Sequence, residues 1–233
     1  MNFHGLNQKQ QSVAKELEQN ILLLASAGTG KTNTLVYRIE NILDKKLAKP
    51  EEIVCLTFTN KACNEMKDRI NSIAGGAAVD VMVKTIHGFC YEILRWAARQ
   101  DSDIFGDFGV FDETDCLELI ANLKYVNSEK ASVFQKLINL VKEYRGEYNL
   151  FSQHPEEDYE QVILRLKDKN PQRLADAAKG LENILMIFDA HCGEILKEYD
   201  DMLRENHAVD FNDLINEAYR LLQQDEVAKV WQN

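Results

Sequence analysis

Residues 21 to 32, Ile-Leu-Leu-Leu-Ala-Ser-Ala-Gly-Thr-Gly-Lys-Thr, set an apolar run directly before a glycine-rich turn that ends in Gly30-Lys31-Thr32. The run predicts a buried strand. Leu35, Val36, Ile39, Ile42 and Leu43 recur at helical spacing and predict a helix after the turn. Strand, glycine turn and helix together form the context in which a G-K-T triplet points to phosphate, because the glycines let backbone N–H groups wrap a polyphosphate. Lys31 is then placed to reach the β and γ oxygens, and the Thr32 hydroxyl to hold Mg²⁺. The dipole of the following helix adds positive potential at the same point. The candidate cradle is Ala25, Ser26, Ala27, Gly28, Thr29, Gly30, Lys31 and Thr32, with Ala25 where a first glycine is usual. A turn joining an unrelated strand and helix is the bland alternative.

The rest of the composition permits an ordinary folded chain. With 233 residues, 45% of them hydrophobic, it can bury one large core or two smaller ones, and three prolines leave long helices uninterrupted. No run of about 18 apolar residues and no charged-then-apolar leader is present, so neither a membrane span nor a secretion signal is indicated and a cytoplasmic protein is expected. Cys55, Cys63, Cys90, Cys116 and Cys192 are odd in number and widely spaced, without a C-x-x-C pair. Free, mostly buried thiols are expected rather than disulfides or a metal site.

A net charge of −11 argues against a nucleic-acid partner until its distribution is considered. Residues 1 to 96 hold 12 Lys+Arg against 10 Asp+Glu, while residues 97 to 233 hold 15 against 28. The acidity belongs to the back half, and a basic contact surface in the front half stays open.

The front of the chain alternates between helix and strand. Asn7 with Gln10 three residues on predicts a capped helix. Ile53 to Phe58 and Val79 to Thr85 predict strands. A helix carrying Ala62, Met66, Ile70 and Ile73 lies between them and ends at Gly75-Gly76, and another carries Phe89, Ile93, Leu94 and Trp96. Such repetition implies parallel strands joined by crossovers. From about residue 97 the pattern turns helical, after an aromatic patch of Phe105, Phe108, Val110 and Phe111. Leu117, Ile120 and Leu123 fit one helix, and Val133, Leu137, Leu140, Val141 and Tyr144 fit a second. A third runs from about Arg173 towards Glu205, with breaks expected around Gln153 to Asp158 and at Asn170-Pro171.

Several stretches resemble, in order, the UvrD/Rep-type superfamily 1 DNA helicases. Leu6-Asn7-Gln8-Lys9-Gln10 looks like their N-terminal glutamine motif, and residues 25 to 32 like their P-loop variant with alanine in first place. Leu56 to Met66, Thr85 to Cys90 with Leu94-Arg95, and Asp210-Phe211-Asn212-Asp213-Leu214 look like three later motifs. The resemblance implies an α/β fold: a P-loop NTPase of RecA-like type, a parallel sheet with helices on both faces, plus an all-helical inserted subdomain. It assigns residues 1–96 and 208–233 to the first RecA-like ATP-binding domain and 97–207 to the insertion.

The resemblance also implies roles. Gln10 recognises adenine, for which a carboxamide can donate and accept at once, although it can equally cap the helix opened by Asn7. Phe58, Thr59, Asn60 and Lys61 at the carboxyl end of one strand, and Thr85, His87 and Phe89 at the end of the next, contact single-stranded DNA. The bland readings are Asn60 as a helix cap and Phe58 as core. His87 reads as DNA or motif support, not as a proton-transfer group. Arg95 reads equally as a phosphate contact or a surface charge, and Asp210 and Asp213 as capping residues.

Phosphoryl transfer by P-loop enzymes needs an acidic Walker-B site as well. Ile184 to Asp189 is an apolar run ending in a carboxylate, but it lies within the spacing Leu181, Leu185, Phe188, Cys192, Ile195, Tyr199 and Met202, which predicts helix. The resemblance puts the missing Asp-Glu strand beyond Asn233, so the chain looks like an N-terminal fragment. Its parent is expected to be an ATP-dependent DNA helicase that uses ATP and Mg²⁺, moves 3′ to 5′ on single-stranded DNA and separates duplex DNA with the help of its remaining domains. The fragment by itself is expected not to turn over ATP efficiently. A helicase-nuclease subunit of the AddA/RecB kind, and a P-loop kinase or ATPase unrelated to DNA, are the alternatives.

Overall fold

The computed structural model describes residues 5–26, 28–100 and 107–232. Ala27 of the expected cradle and Phe105 of the aromatic patch lie outside the described residues. Two compact units account for the chain, one within residues 1–89 and the other within 90–232.

In the first unit, helix α1 (Gln8–Lys15) opens on a reciprocal cap, in which Gln10 N donates to Asn7 Oδ1 at 3.0 Å and Asn7 N to Gln10 Oε1 at 2.8 Å. Residues 21–26 follow, and here one expectation fails. They adopt no strand, and Leu22 and Leu24 are 83% and 82% exposed. The apolar run was the right composition for a strand, but a strand exists only where a neighbour supplies ladder hydrogen bonds. The sheet of this unit is the pair β1 (Val54–Thr57) and β2 (Met82–Thr85), and residues 21–26 pair with neither.

Helix α2 (Lys31–Asp44) and helix α3 (Asn60–Ala74) pack on each other. They enclose a core of Val36 and Ile39 from α2, Cys63, Met66 and Ile70 from α3, and Val81 and Val83 from the second strand segment. The two strands run parallel, as the strand–helix–strand order requires, with Val54 opposite Met82 and Thr57 opposite Thr85. Val54 and Leu56 remain exposed. Gly75, at φ 60°, ends α3 in the left-handed region that glycine tolerates. Helix α4 (Ile86–Gln100) starts directly at the end of β2.

The second unit is mostly helical, but not wholly. Gly109–Val110 (β3) pairs in parallel with Ala208–Val209 (β4), so part of the aromatic patch is a strand, and the region expected to be all-helical contributes a strand to a small sheet. Phe108 beside it is buried and meets Tyr91 edge-on at 5.5 Å. Helices α5 (Glu113–Ile120) and α6 (Ala131–Glu147) correspond to the first two expected helices.

Beyond them the chain departs from the expectation. Residues 153–158 are only partly a break, since Pro155 begins helix α7 (Pro155–Lys169). The long helix expected from about Arg173 is divided into α8 (Pro171–Ala177) and α9 (Glu182–Glu205), with Lys179 and Gly180 both at positive φ between them. Ile184–Asp189 lies inside α9, as its spacing requires. Helices α10 (Phe211–Leu222) and α11 (Asp225–Gln232) complete the unit. Its core joins Leu137, Ile138 and Val141 of α6, Val162 and Leu166 of α7, and Phe188, Ile195 and Leu196 of α9. No helix among the described residues is long and apolar enough to cross a membrane.

Candidate nucleotide and DNA site

The phosphate-loop candidates sit between α1 and α2. Gly28 and Gly30 have φ of 76° and 85°, left-handed values that a side chain would strain, so both glycines are required by the turn itself. Gly30 is the N-cap of α2, and among the described residues no side chain caps the helix, so its start is not closed by a described side-chain acceptor. Lys31 is the first residue of α2 and turns its ammonium back over the loop, where Nζ donates to Ala25 O at 2.5 Å and Ser26 O at 2.7 Å. Thr29 Oγ1 donates to Ser26 O at 2.7 Å, tightening the same turn. Thr32 follows Lys31 in the first turn of α2. The donor set fits a polyphosphate: a lysine held at a glycine turn, a hydroxyl next to it and a helix N-terminus without a side-chain cap.

Gln10 joins this group by a route the sequence left open. Its Oε1 caps α1, and its Nε2 donates to Thr29 O at 2.8 Å across 19 residues. Two residues that the sequence reading missed tie the other end of α1 to α2. Arg38 donates to Val13 O at 3.1 Å and Gln19 O at 3.2 Å, and the buried Asn41 donates to Ala14 O at 3.0 Å. A signal existed: Thr34, Arg38 and Asn41 recur four and three apart, a polar stripe along one face of a helix whose Val36 and Ile39 are apolar, and Thr34 and Asn41 prove to be buried.

The second group of candidates collects at one edge of the β1–β2 pair. Because Thr57 lies opposite Thr85, the segments 58–61 and 85–89 leave the sheet side by side at its carboxyl end. Phe58 is 90% exposed there, so it is not core. Thr59, rather than Asn60, is the N-cap of α3, its Oγ1 accepting from Ala62 N at 3.1 Å, while Asn60 and Lys61 form the first turn. Thr85 Oγ1 accepts from Gly88 N at 3.0 Å and so fixes the start of α4, which carries His87 and Phe89. Burial pushes the Cys55 thiol up to about 11, so it is not a nucleophilic thiolate at neutral pH.

Other candidates lie in the second unit. Arg95 pairs with Asp107 at 2.6 Å. Asp189 is held by Lys167 at 2.7 Å. Asp210 caps α10 through Asp213 N at 2.8 Å, as expected, but it also belongs to a buried cluster that the sequence did not disclose. The Lys142 ammonium, with no side-chain exposure, donates to Asp200 at 3.1 Å, Asp210 at 2.8 Å and Asp213 at 2.7 Å. Burial opposes its charge, yet the three carboxylates outweigh burial and hold Lys142 well above the ordinary lysine range.

Comparison with known proteins identifies the family of the chain. A family model described as the UvrD/REP helicase N-terminal domain matches residues 6–233. The ATP-dependent DNA helicase PcrA of Bacillus subtilis (strain 168) is 31% identical over 231 residues, which are 97% of this chain and 27% of that protein. PcrA of Staphylococcus aureus (strain Mu50) is 30% identical over 239 residues, 99% of this chain and 28% of the relative. A probable DNA helicase II homolog of Mycoplasma capricolum is 24% identical over 235 residues, 98% of this chain and 29% of the relative. The chain thus spans less than a third of the length of the curated relatives it matches.

Proposed function

The chain belongs to the UvrD/REP helicase N-terminal domain family, and we propose that it forms the nucleotide-binding part of an ATP-dependent DNA helicase, the activity named for its PcrA relatives. In this reading Ala25 to Thr32 cradle the triphosphate of ATP, Lys31 meets its terminal oxygens, Thr32 holds Mg²⁺ and Gln10 faces the adenine. The bound Mg-ATP supplies the phosphoryl group whose transfer drives movement. The chain's own residues bind and orient it: the glycine turn offers N–H donors, and Lys31 exchanges the carbonyls of Ala25 and Ser26 for phosphate oxygens. Residues 1–96 and 208–233 then form the first RecA-like domain, with 97–207 as an insertion. The rest of a longer chain completes hydrolysis, 3′-to-5′ translocation and duplex separation.

The edge at 58–61 and 85–89 is proposed to hold single-stranded DNA. Phe58 offers an exposed face for base stacking, and Thr59, Asn60, Lys61, Thr85, His87 and Phe89 stand near the backbone path.

The observation that carries the nucleotide reading is the Lys31 ammonium held over the glycine turn at the uncapped start of α2. Titration with Mg-ATP tests it. Binding is expected in the unsubstituted chain and lost in Lys31→Ala; robust binding that survives the substitution sinks the assignment. For DNA, Phe58→Ala is expected to weaken oligo(dT) binding by about 1–3 kcal/mol, the contribution of one base–aromatic stack. Unchanged affinity removes Phe58 from the interface.

A further inference from the structure

We infer that the corner formed by the end of α6, the end of α7 and the start of α8 is a further nucleic-acid contact, one that holds the phosphate backbone without reading bases. The inference rests on the reading of the chain as part of a DNA helicase, but it concerns a surface outside both sites described above. Residues 97–233 carry 15 Lys+Arg against 28 Asp+Glu, yet residues 165–173 hold four Lys+Arg against one Asp, so positive charge is concentrated where α7 gives way to α8. Three of these cations lie over tyrosine rings of α6 and its cap. Arg165 Cζ stands 5.2 Å and Lys169 Nζ 5.9 Å from the centre of the Tyr148 ring. Arg173 Cζ stands 5.4 Å from the centre of the Tyr144 ring and donates to its hydroxyl at 2.8 Å. The two rings adjoin, with 5.4 Å between their centres.

Two of the four cations keep their charge uncompensated. Lys167 is paired with Asp189 at 2.7 Å and Arg173 with Glu143 at 3.5 Å, whereas Arg165 and Lys169 have no carboxylate partner in an ion pair among the described residues. Both are exposed, and a shared ring holds them in place instead of a counter-ion. Restraining long side chains before a ligand arrives lowers the ordering entropy that binding must overcome. They lie four residues apart on α7, about 6 Å along the helix axis, and so present paired charge to a polyanion. Tyr144 is buried and Tyr148 half-buried, and their faces are taken by the cations, so neither offers a base the open ring that Phe58 does. The contact is therefore to phosphate and independent of sequence. An acidic peptide is the competing occupant, and the test separates the two.

Fluorescence anisotropy of the full chain with labelled mixed-sequence duplexes and with oligo(dT), across a salt series, tests the corner. Arg165→Gln with Lys169→Gln removes both charges at helical positions that glutamine suits. It is expected to lower the slope of log K against log salt by about 0.9 per cation on the duplexes and by about 0.7 on oligo(dT), alike for every duplex sequence. Arg165→Lys with Lys169→Arg keeps both charges and is expected to keep the slope. The corner is overturned if the glutamine pair leaves the slope unchanged, or if the charge-keeping swap lowers it as much, since packing rather than charge is then at fault. It is also overturned if the glutamine pair loses a labelled decaglutamate peptide but no DNA, which assigns the surface to an acidic partner. Phe58→Ala keeps the two DNA readings apart. Weaker oligo(dT) binding in Phe58→Ala with an unchanged slope in the glutamine pair leaves the strand-end reading standing and removes the corner, and the reverse pattern does the opposite. If the unsubstituted chain binds neither DNA, both readings fall.

Discussion

Lys142 carries an ammonium into the interior of the helical unit, where Asp200, Asp210 and Asp213 take all three of its protons. Tyr199 donates to Asp210 at 3.1 Å, and Tyr159 donates to Asp200 while receiving Arg145 at 2.9 Å, so two of the three partners are themselves supported. Removing one member of such a set strands the others without compensation. Lys142→Met is therefore expected to lower the unfolding free energy by about 3–5 kcal/mol in urea at neutral pH. A loss below about 1 kcal/mol would show that the cluster is not closed in solution.

Asp213 has a pH signature of its own. Burial and the neighbouring Asp210 raise it well above its ordinary 3.8, against the pull of Lys142. Between 3.8 and its folded value Asp213 keeps, in the folded state, a proton that the unfolded state has released, and above that value it is ionised beside Lys142; stability from this group is therefore full below 3.8 and drains as pH rises through the folded value. Asp213→Asn is expected to flatten the stability profile above about pH 4, as read by thermal midpoints across a buffer series. An unchanged slope refutes the raised titration. At this scale the sequence told half the story. The capping role of Asp210 follows from local spacing, whereas its bond to Lys142 spans 68 residues and leaves no trace in either neighbourhood.

Among elements, the α6–α10 contact depends on one missing side chain. A Cβ on Gly146 would stand 2.3 Å from Asn216 Oδ1, and Asn216 Nδ2 donates to Lys142 O at 3.0 Å, so the glycine lets α10 seat its amide on α6. Gly146→Ala is expected to cost about 1–3 kcal/mol from overpacking. In an Asn216→Ala background the same change should be neutral or stabilising, because alanine is the better helix former by about 1 kcal/mol. Additive effects in that double-mutant cycle would remove the steric explanation. Helices α2, α3, α4 and α6 were legible because long apolar periodicity survives any tertiary context. The α8–α9 break was not, because Lys179 and Gly180 at positive φ lie within an apolar pattern that runs on past them. A single glycine in such a pattern reads as tolerated helix.

At the scale of the whole chain, the largest difference between sequence and structure is the apolar run at residues 21–24. Its composition announces a buried strand, and the glycine turn behind it was read correctly as a turn, yet Leu22 and Leu24 stand more than four-fifths exposed. Hydrophobicity is a property of the segment, but strand formation depends on a partner edge, and among the described residues of that unit only β1 and β2 form a ladder. The candidate site was legible for a related reason. Phosphate loops and strand-end motifs act through contiguous residues, while the anchors Arg38 and Asn41 reach carbonyls 19 to 27 residues away. The exposure has a direct consequence. Replacing both leucines, Leu22→Ser with Leu24→Ser, removes no buried contact, so unfolding free energy should change by no more than about 0.5 kcal/mol, as for other surface positions. Binding of a hydrophobic dye should fall, because exposed apolar patches are what such dyes report. A loss of about 2 kcal/mol or more would mean that these leucines are packed after all, and that the segment forms the strand its composition predicts.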